Sequence, residues 1–338
     1  MSHDVINISR HILEQQRQSP GATGELSILL NTLALAAKIS SHEVNRAGLG
    51  NVLGHAGYQN VQGEQVTKLD IFTHNLLHGL LGRSGQVCVM ASEEAEHPLE
   101  IPEGYPNGKY VVLFDPLDGS ANLEINASVG MIFSVFRRVS SGGKGTIEDC
   151  LQAGRHQVCA GYVVYGASTM LVYSTGHGVH GFTLDPAIGE FLLSHENIRI
   201  PKKGTMYSIN EGRSKGWPPG IVEYLNSIKS GQNGPTYNLR YIGAAIADVH
   251  RTLLTGGIFL HPASAANPKG KLRLLYEASP LAFLVEQAGG RASDGKQPIL
   301  EIQPESLHQR VPMIIGSVDD VLTAERFIRE AEAKAYYA

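Results

Sequence analysis

Cysteine is scarce in this chain. Cys88, Cys150 and Cys159 are odd in number and none forms a Cys-x-x-Cys pair, which argues against a disulfide framework. Reduced thiols in a cytoplasmic setting are the expectation. An excess of charge of one sign is also missing. The 28 Lys and Arg stand against 32 Asp and Glu, a net charge of −4 that gives no reason to expect a nucleic-acid partner. Basic residues are scattered except near 269–273, so any positive patch is local. Long hydrophobic runs are absent too. The longest, residues 26–39, is broken by Asn31, Thr32 and Lys38 and falls far short of a membrane span. The first 20 residues are polar and carry no apolar core of a signal peptide. No internal repeat or low-complexity tract occurs, so a soluble cytoplasmic protein is expected.

What is present is a chain of 338 residues, 42% hydrophobic and 18% charged, long enough for two domains with a sizeable core. The segment Asn197 to Lys203 suggests the division, giving domains of residues 1–200 and 201–338. The most informative stretch is Lys109-Tyr110-Val111-Val112-Leu113-Phe114-Asp115-Pro116-Leu117-Asp118-Gly119-Ser120. Residues 109–114 read as an apolar strand that Asp-Pro stops, leaving Asp115 and Asp118 on a turn at its carboxyl end. Ligands bind at that end of α/β sheets. Two carboxylates with the Leu117 carbonyl between them suit Mg²⁺, which takes hard oxygen ligands. Gly119 and Ser120 offer free N–H groups to a phosphate. A plain Asp-Pro surface turn is the alternative for these residues alone.

Further along the chain, residues 4–18 have helical spacing, and Ser19-Pro20-Gly21 breaks them. Thr23 is placed to cap a long helix running to about residue 47, and such a helix start is also a ready phosphate site. Five glycines in residues 48–63 suggest a mobile loop. A third helix is expected over residues 65–81, with Asp70 beside its apolar stripe and Glu64 preceding it. The strand over residues 86–91 ends in Ser92-Glu93-Glu94. If the two acid-tipped strands lie side by side, four carboxylates converge with Asp70 nearby, and only cations make that density tolerable. A strand over 128–139, a β-meander over 158–193, a strand ending at Ser208, and helices over 217–229, 245–255 and 272–287 follow. The helix over 272–287 closes at Gly289-Gly290. A strand at 312–315 and a charged helix to about residue 334 complete the chain.

Taken together, the acids and their spacing resemble the lithium-sensitive, metal-dependent sugar-phosphatase superfamily. Within it the chain is most similar to the class I fructose-1,6-bisphosphatase family. Matching stretches include Ala22-Thr23-Gly24-Glu25-Leu26, Asn60-Val61-Gln62-Gly63-Glu64, Tyr207-Ser208-Ile209-Asn210-Glu211-Gly212, Ala247-Asp248-Val249-His250-Arg251, Pro268-Lys269-Gly270-Lys271-Leu272-Arg273 and Leu307-His308-Gln309-Arg310. The resemblance implies an α/β layered fold, a five-layer α/β/α/β/α sandwich. It implies that Glu93, Glu94, Asp115, Asp118, Glu277 and the Leu117 carbonyl hold two or three Mg²⁺, with Mn²⁺ or Zn²⁺ as substitutes. Asp70 with Glu94 would orient and deprotonate the attacking water, and Glu64 would assist. Asp118, Gly119 and Ser120 would hold the transferred phosphoryl group; Asn210, Tyr241 and Lys271 would bind the sugar and its 6-phosphate. Arg240 would cross from a neighbouring subunit of a homotetramer. AMP, as allosteric inhibitor, would bind at Thr23, Gly24, Glu25, Leu26 and Ser27 with Lys109, Tyr110 and Arg137.

Some positions depart from the family pattern. Arg213 stands where Tyr or Asn is frequent, His261 where Tyr is common, and Ala266 where Lys is frequent. Arg213 and His261 flank the expected 6-phosphate pocket and are counted as substrate contacts. Ala121 replaces a second Ser, and the regulatory cysteine loop of plastid enzymes is missing. Sedoheptulose-1,7-bisphosphatase activity is a close alternative; an inositol-monophosphatase-type enzyme or a silent AMP- or sugar-phosphate-binding regulator is a more distant one.

Overall fold

The structure is a computed structural model that describes residues 5–17, 22–49, 54–59, 65–231 and 234–336. Two main sheets run through it. The larger has seven strands: β3 (Val87–Ser92), β4 (Tyr110–Asp118), β5 (Val129–Arg137), β6 (Gln157–Tyr165), β7 (Thr169–Ser174), β8 (His180–Asp185) and β9 (Glu190–His195), paired in that order. The first pair is parallel and the rest antiparallel. The smaller has the order β11-β10-β12-β16-β14, with β10 (Met206–Ser208), β11 (Asn238–Leu239), β12 (Ile258–His261), β14 (Arg291–Ser293) and β16 (Met313–Gly316). Strands such as β3, β4 and β16 are buried along their whole length.

Side-chain alternation assigns each strand face to a different core. Phe133 and Val163 face helices α1 (Ile8–Arg17), α2 (Glu25–Asn45) and α3 (Lys68–Gly82), whereas Ile132 and Tyr162 face α6 (Ala245–Thr255) and α7 (Ser279–Gln287). In the smaller sheet Phe259 and Ile315 face α6 and α7, and Ile258, Leu260 and Ile314 face α5 (Pro219–Ser230) and α8 (Val318–Tyr336). The layers are therefore helix, sheet, helix, sheet, helix, as the resemblance implied. The short helix α4 (Ile147–Cys150), the hairpin β1 (His55–Gln59) with β2 (Gln65–Thr67), and the pair β13 (Leu272–Arg273) with β15 (Arg310–Val311) complete the elements used below.

Several local expectations are corrected. β4 does not stop at Asp-Pro but runs to Asp118. Asp115 pairs with Ile132 and Asp118 with Gly130, so β4 has one residue more than β5 between these pairs. That bulge accommodates Pro116, which cannot donate to the ladder. Thr23 is not the cap of α2: the cap is Gly24 at φ 86°, with no side-chain bond, and the Thr23 hydroxyl donates instead to the Glu25 carboxylate. Residues 55–59 of the expected loop form β1, and α3 starts at Lys68 because Thr67 and Asp70 make a capping box. The expected helix over 272–287 begins as β13 and a π turn, Leu274–Ala278, before α7.

Candidate active site

The bulge in β4 decides where its carboxylates point. Residues three apart on a regular strand face opposite sides; the extra residue lets Asp115 and Asp118 face the same side. The π turn brings Glu277 to them, and one carboxylate oxygen from each of Asp115, Asp118 and Glu277 lies within 4.8 Å of the others. All three are buried. Burial, then Glu93 and Asp118, hold the Asp115 carboxyl well above the usual range. Burial, then Glu277, push Asp118 up to about 7, against the Ile246 N–H that donates to it at 2.7 Å. Glu93, at the end of β3, is hydrogen-bonded to Asp115.

One buried cation sits among these acids. Arg273 places Nη2 2.8 Å from Glu93 Oε1 and Nη1 3.7 Å from Glu277 Oε2, and its backbone N–H donates to Glu277 Oε2 at 2.6 Å. One guanidinium cannot balance four carboxylates, and the raised Asp115 and Asp118 carboxyls show how strongly the site resists carrying all four charges unaided. Such a set of hard oxygen donors, charged and desolvated, fits a divalent cation.

These acids open on a cavity of about 440 Å³. Asp70, Glu93, Glu94, Leu117, Gly119 and Ser120 also line it, and so do Asn210, Arg213, Tyr241, His261 and Lys271. Acids at the ends of β3 and β4, on α3 and on the π turn thus share one cavity with donors on or beyond β10, β11 and β12 and just before β13. Gly119 has φ 77°, and a Cβ there would lie 2.4 Å from the Ala244 Cβ, so only glycine lets this turn meet α6 so closely. The Asp70 carboxylate accepts the Thr67 N–H at 2.6 Å, so it is tied to the helix start as well as lining the cavity. The Glu94 N–H donates to Ser92 Oγ at 3.3 Å, and His74 Nδ1 lies 2.9 Å from the same oxygen.

A second cavity, of about 310 Å³, lies between α1, α2 and the larger sheet. Thr23, Gly24, Leu26, Ser27, Lys109, Tyr110 and Arg137 line it. Arg137 stacks over the Tyr110 ring at 5.7 Å. Glu25 is not among its lining residues; its carboxylate pairs with Lys109 Nζ at 2.5 Å, and Lys109 holds the Glu25 carboxyl below its ordinary range.

Of the other expected site residues, Glu64 lies outside the described residues. Arg240 is exposed, does not line the larger cavity, and donates to the Leu239 carbonyl at 2.9 Å. Arg273 was missed as a functional residue. Its signal was its place four residues before Glu277, where a helical turn pairs opposite charges.

Family models described as the N-terminal and C-terminal domains of fructose-1-6-bisphosphatase match residues 6–196 and 200–329. The chain is 56% identical over 327 residues to a fructose-1,6-bisphosphatase class 1 of Chloroherpeton thalassium, covering 96% of this chain and 93% of that protein. It is 54% identical over 326 residues to one from Chlorobium phaeobacteroides, covering 96% and 98%. The structure of Leishmania major fructose-1,6-bisphosphatase in holo form aligns at TM-score 0.90 and 40% identity, over 96% of this chain and 98% of that one.

Proposed function

This chain belongs to the class 1 fructose-1,6-bisphosphatase family of phosphatases, and on that premise we propose that it hydrolyses the 1-phosphate of fructose 1,6-bisphosphate with Mg²⁺, yielding fructose 6-phosphate and phosphate. The observation that carries this reading is the sharing of one cavity by the Asp115, Asp118 and Glu277 carboxylates and by the cationic and amide donors around Lys271. A substrate with two phosphates needs both: one held where charge is transferred, the other held only by donors.

Glu93, Glu94, Asp115, Asp118, Glu277 and the Leu117 carbonyl would hold Mg²⁺. Bound there, the ions would supply charge neutralisation at the transferred phosphoryl oxygens and a lowered pKa for water. Asp70 and Glu94, joined by Glu64, would orient the attacking water and take its proton. The Gly119 and Ser120 N–H groups would hold the phosphoryl group, and Arg273 would keep Glu93 and Glu277 ionised and in place. Asn210, Arg213, Tyr241, His261 and Lys271 would grip the distal phosphate and sugar. AMP would occupy the second cavity as inhibitor, its phosphate taking the place of the Glu25 carboxylate beside Lys109. The regulatory part would be residues 1–200 and the sugar-phosphate part residues 201–338, in a cytoplasmic homotetramer to which Arg240 contributes across subunits.

Phosphate release from fructose 1,6-bisphosphate tests the reading. It should require Mg²⁺, fall with AMP, and drop at least about a hundredfold in Glu277→Gln. Release that ignores Mg²⁺ or this substitution would overturn it, and release unchanged in saturating AMP would remove the regulatory part.

A further inference from the structure

The acidic end and the donor end of the large cavity are joined by the first turn of α6. On one side Ile246 N–H donates to Asp118 Oδ2 at 2.7 Å. On the other, Asp248, 0% exposed, gathers the donors of two separate segments. Its Oδ1 accepts the Ser208 hydroxyl, and accepts the Ile242 N–H at 3.0 Å; its Oδ2 accepts the Gly243 N–H at 3.0 Å. Ser208 ends β10, two residues before Asn210, and Ile242 follows Tyr241. Asn210 and Tyr241 share a hydrogen bond and both line the cavity. The Ile242 peptide is also fixed at its carbonyl, which accepts from Asn122 Nδ2 at 3.4 Å, and Asn122 follows the Gly119-Ser120 turn.

A buried carboxylate close to an anion-binding pocket is costly unless its own charge is used. Here burial raises the Asp248 carboxyl above its ordinary range, and three donors from the two segments, with the Arg251 guanidinium, oppose that rise. A neutral residue of the same shape would leave N–H groups facing an amide nitrogen.

We propose that Asp248 is a positioning residue that sets the separation between the acid cluster and the distal-phosphate donors, and so makes the site select sugars with a phosphate at each end. The inference rests on the reading of the donor group as a distal-phosphate pocket. Asp248 touches neither phosphate in this scheme; it holds the Asn210 and Tyr241 walls in register with Asp118.

The test compares kcat/KM for fructose 1,6-bisphosphate with that for fructose 1-phosphate, in Mg²⁺. In Asp248→Asn the preference for the bisphosphate should fall about tenfold, through KM more than kcat. Ser208→Ala, which removes one donor and leaves the carboxylate, should shift the ratio in the same direction by less. A wild-type protein without preference for the bisphosphate would defeat the pocket reading itself. A wild-type preference that survives both substitutions, or equal losses on both substrates, would defeat the role assigned to Asp248. Ser208→Ala answers the question if Asp248→Asn fails to fold.

Discussion

His261 lines the cavity together with Lys271 and Arg213, and its Nδ1 is buried without a hydrogen-bond partner. Burial, followed by the positive charge of Lys271, pushes its pKa down to about 4, so it is neutral near pH 7. A phosphate dianion between these cations reverses the field that keeps the proton off. Binding of the bisphosphate should therefore carry proton uptake through His261 near pH 6. Calorimetric titration in buffers of different ionisation enthalpy reads it, and His261→Tyr should bind with fewer protons taken up per site. Equal uptake in both proteins would exclude His261 as the acceptor. At this scale spacing pointed to Asp115 and Asp118, whereas Glu277, which clusters with them, entered only through the resemblance. It was misleading at Arg273, because a basic run at 269–273 reads as surface charge, yet Arg273 is only 5% exposed. Asp248 stood in a matching stretch, but its hydrogen bonds were not legible: its donors come from residues 208 and 242–243.

Elements were read well where one physical signal dominates. The meander β6 to β9 and helix α6 follow from alternation, turn residues and helical spacing. The bulge in β4 did not, since Asp-Pro signals a stop and only pairing with β5 reveals the strand continuing. Helix α1 shows a different dependence on partners. Its buried residues are Ile8, His11 and Ile12. His11 Nδ1 lies 2.7 Å from the Tyr173 hydroxyl, and its ring centroid is 4.4 Å from that of His180. Burial, then His180, lowers the His11 pKa to about 4; Glu14 opposes this. A histidine with a depressed folded pKa binds fewer protons folded than unfolded, so its contribution is intact above about pH 6.5 and lost as pH falls towards 4. Helix α1 should loosen in that window before the sheet does. Hydrogen exchange over residues 8–17 at pH 7.5 and pH 5 measures it, and His11→Phe should flatten the pH dependence whatever its effect on overall stability. Protection in the variant that falls as steeply with acid would rule out His11 as the cause. Because Ile12, Gln15 and Gln16 line the second cavity, the same loosening should weaken the AMP binding proposed for it.

For the whole molecule, the layer order came from resemblance; strand periodicity alone does not say which helices separate the sheets. Only the core shared by Ile132, Phe259, α6 and α7 shows both sheets packed on one helical layer. The acid cluster draws on β3, β4 and the π turn before α7, so its charge acts on how these parts pack together. On the proposed metal reading, mutual repulsion of Glu93, Asp115, Asp118 and Glu277 should oppose folding without a divalent cation, and the same groups should stabilise the fold with one. Saturating Mg²⁺ at about 100 times its dissociation constant should add about 2.7 kcal/mol, a rise of about 4 °C in Tm. Asp118→Asn separates this electrostatic account from ordinary packing. The asparagine Oδ1 still accepts the Ile246 N–H, so the fold's contacts survive while one charge is lost. In chelator the variant should melt higher than the wild type, and in Mg²⁺ its gain should shrink to a small fraction of the wild-type shift. Thermal melts of both proteins, with chelator and with Mg²⁺, give the four values needed. A variant that melts lower in chelator and keeps the full Mg²⁺ shift would mean that the carboxylates are neither in conflict without the ion nor joined by it.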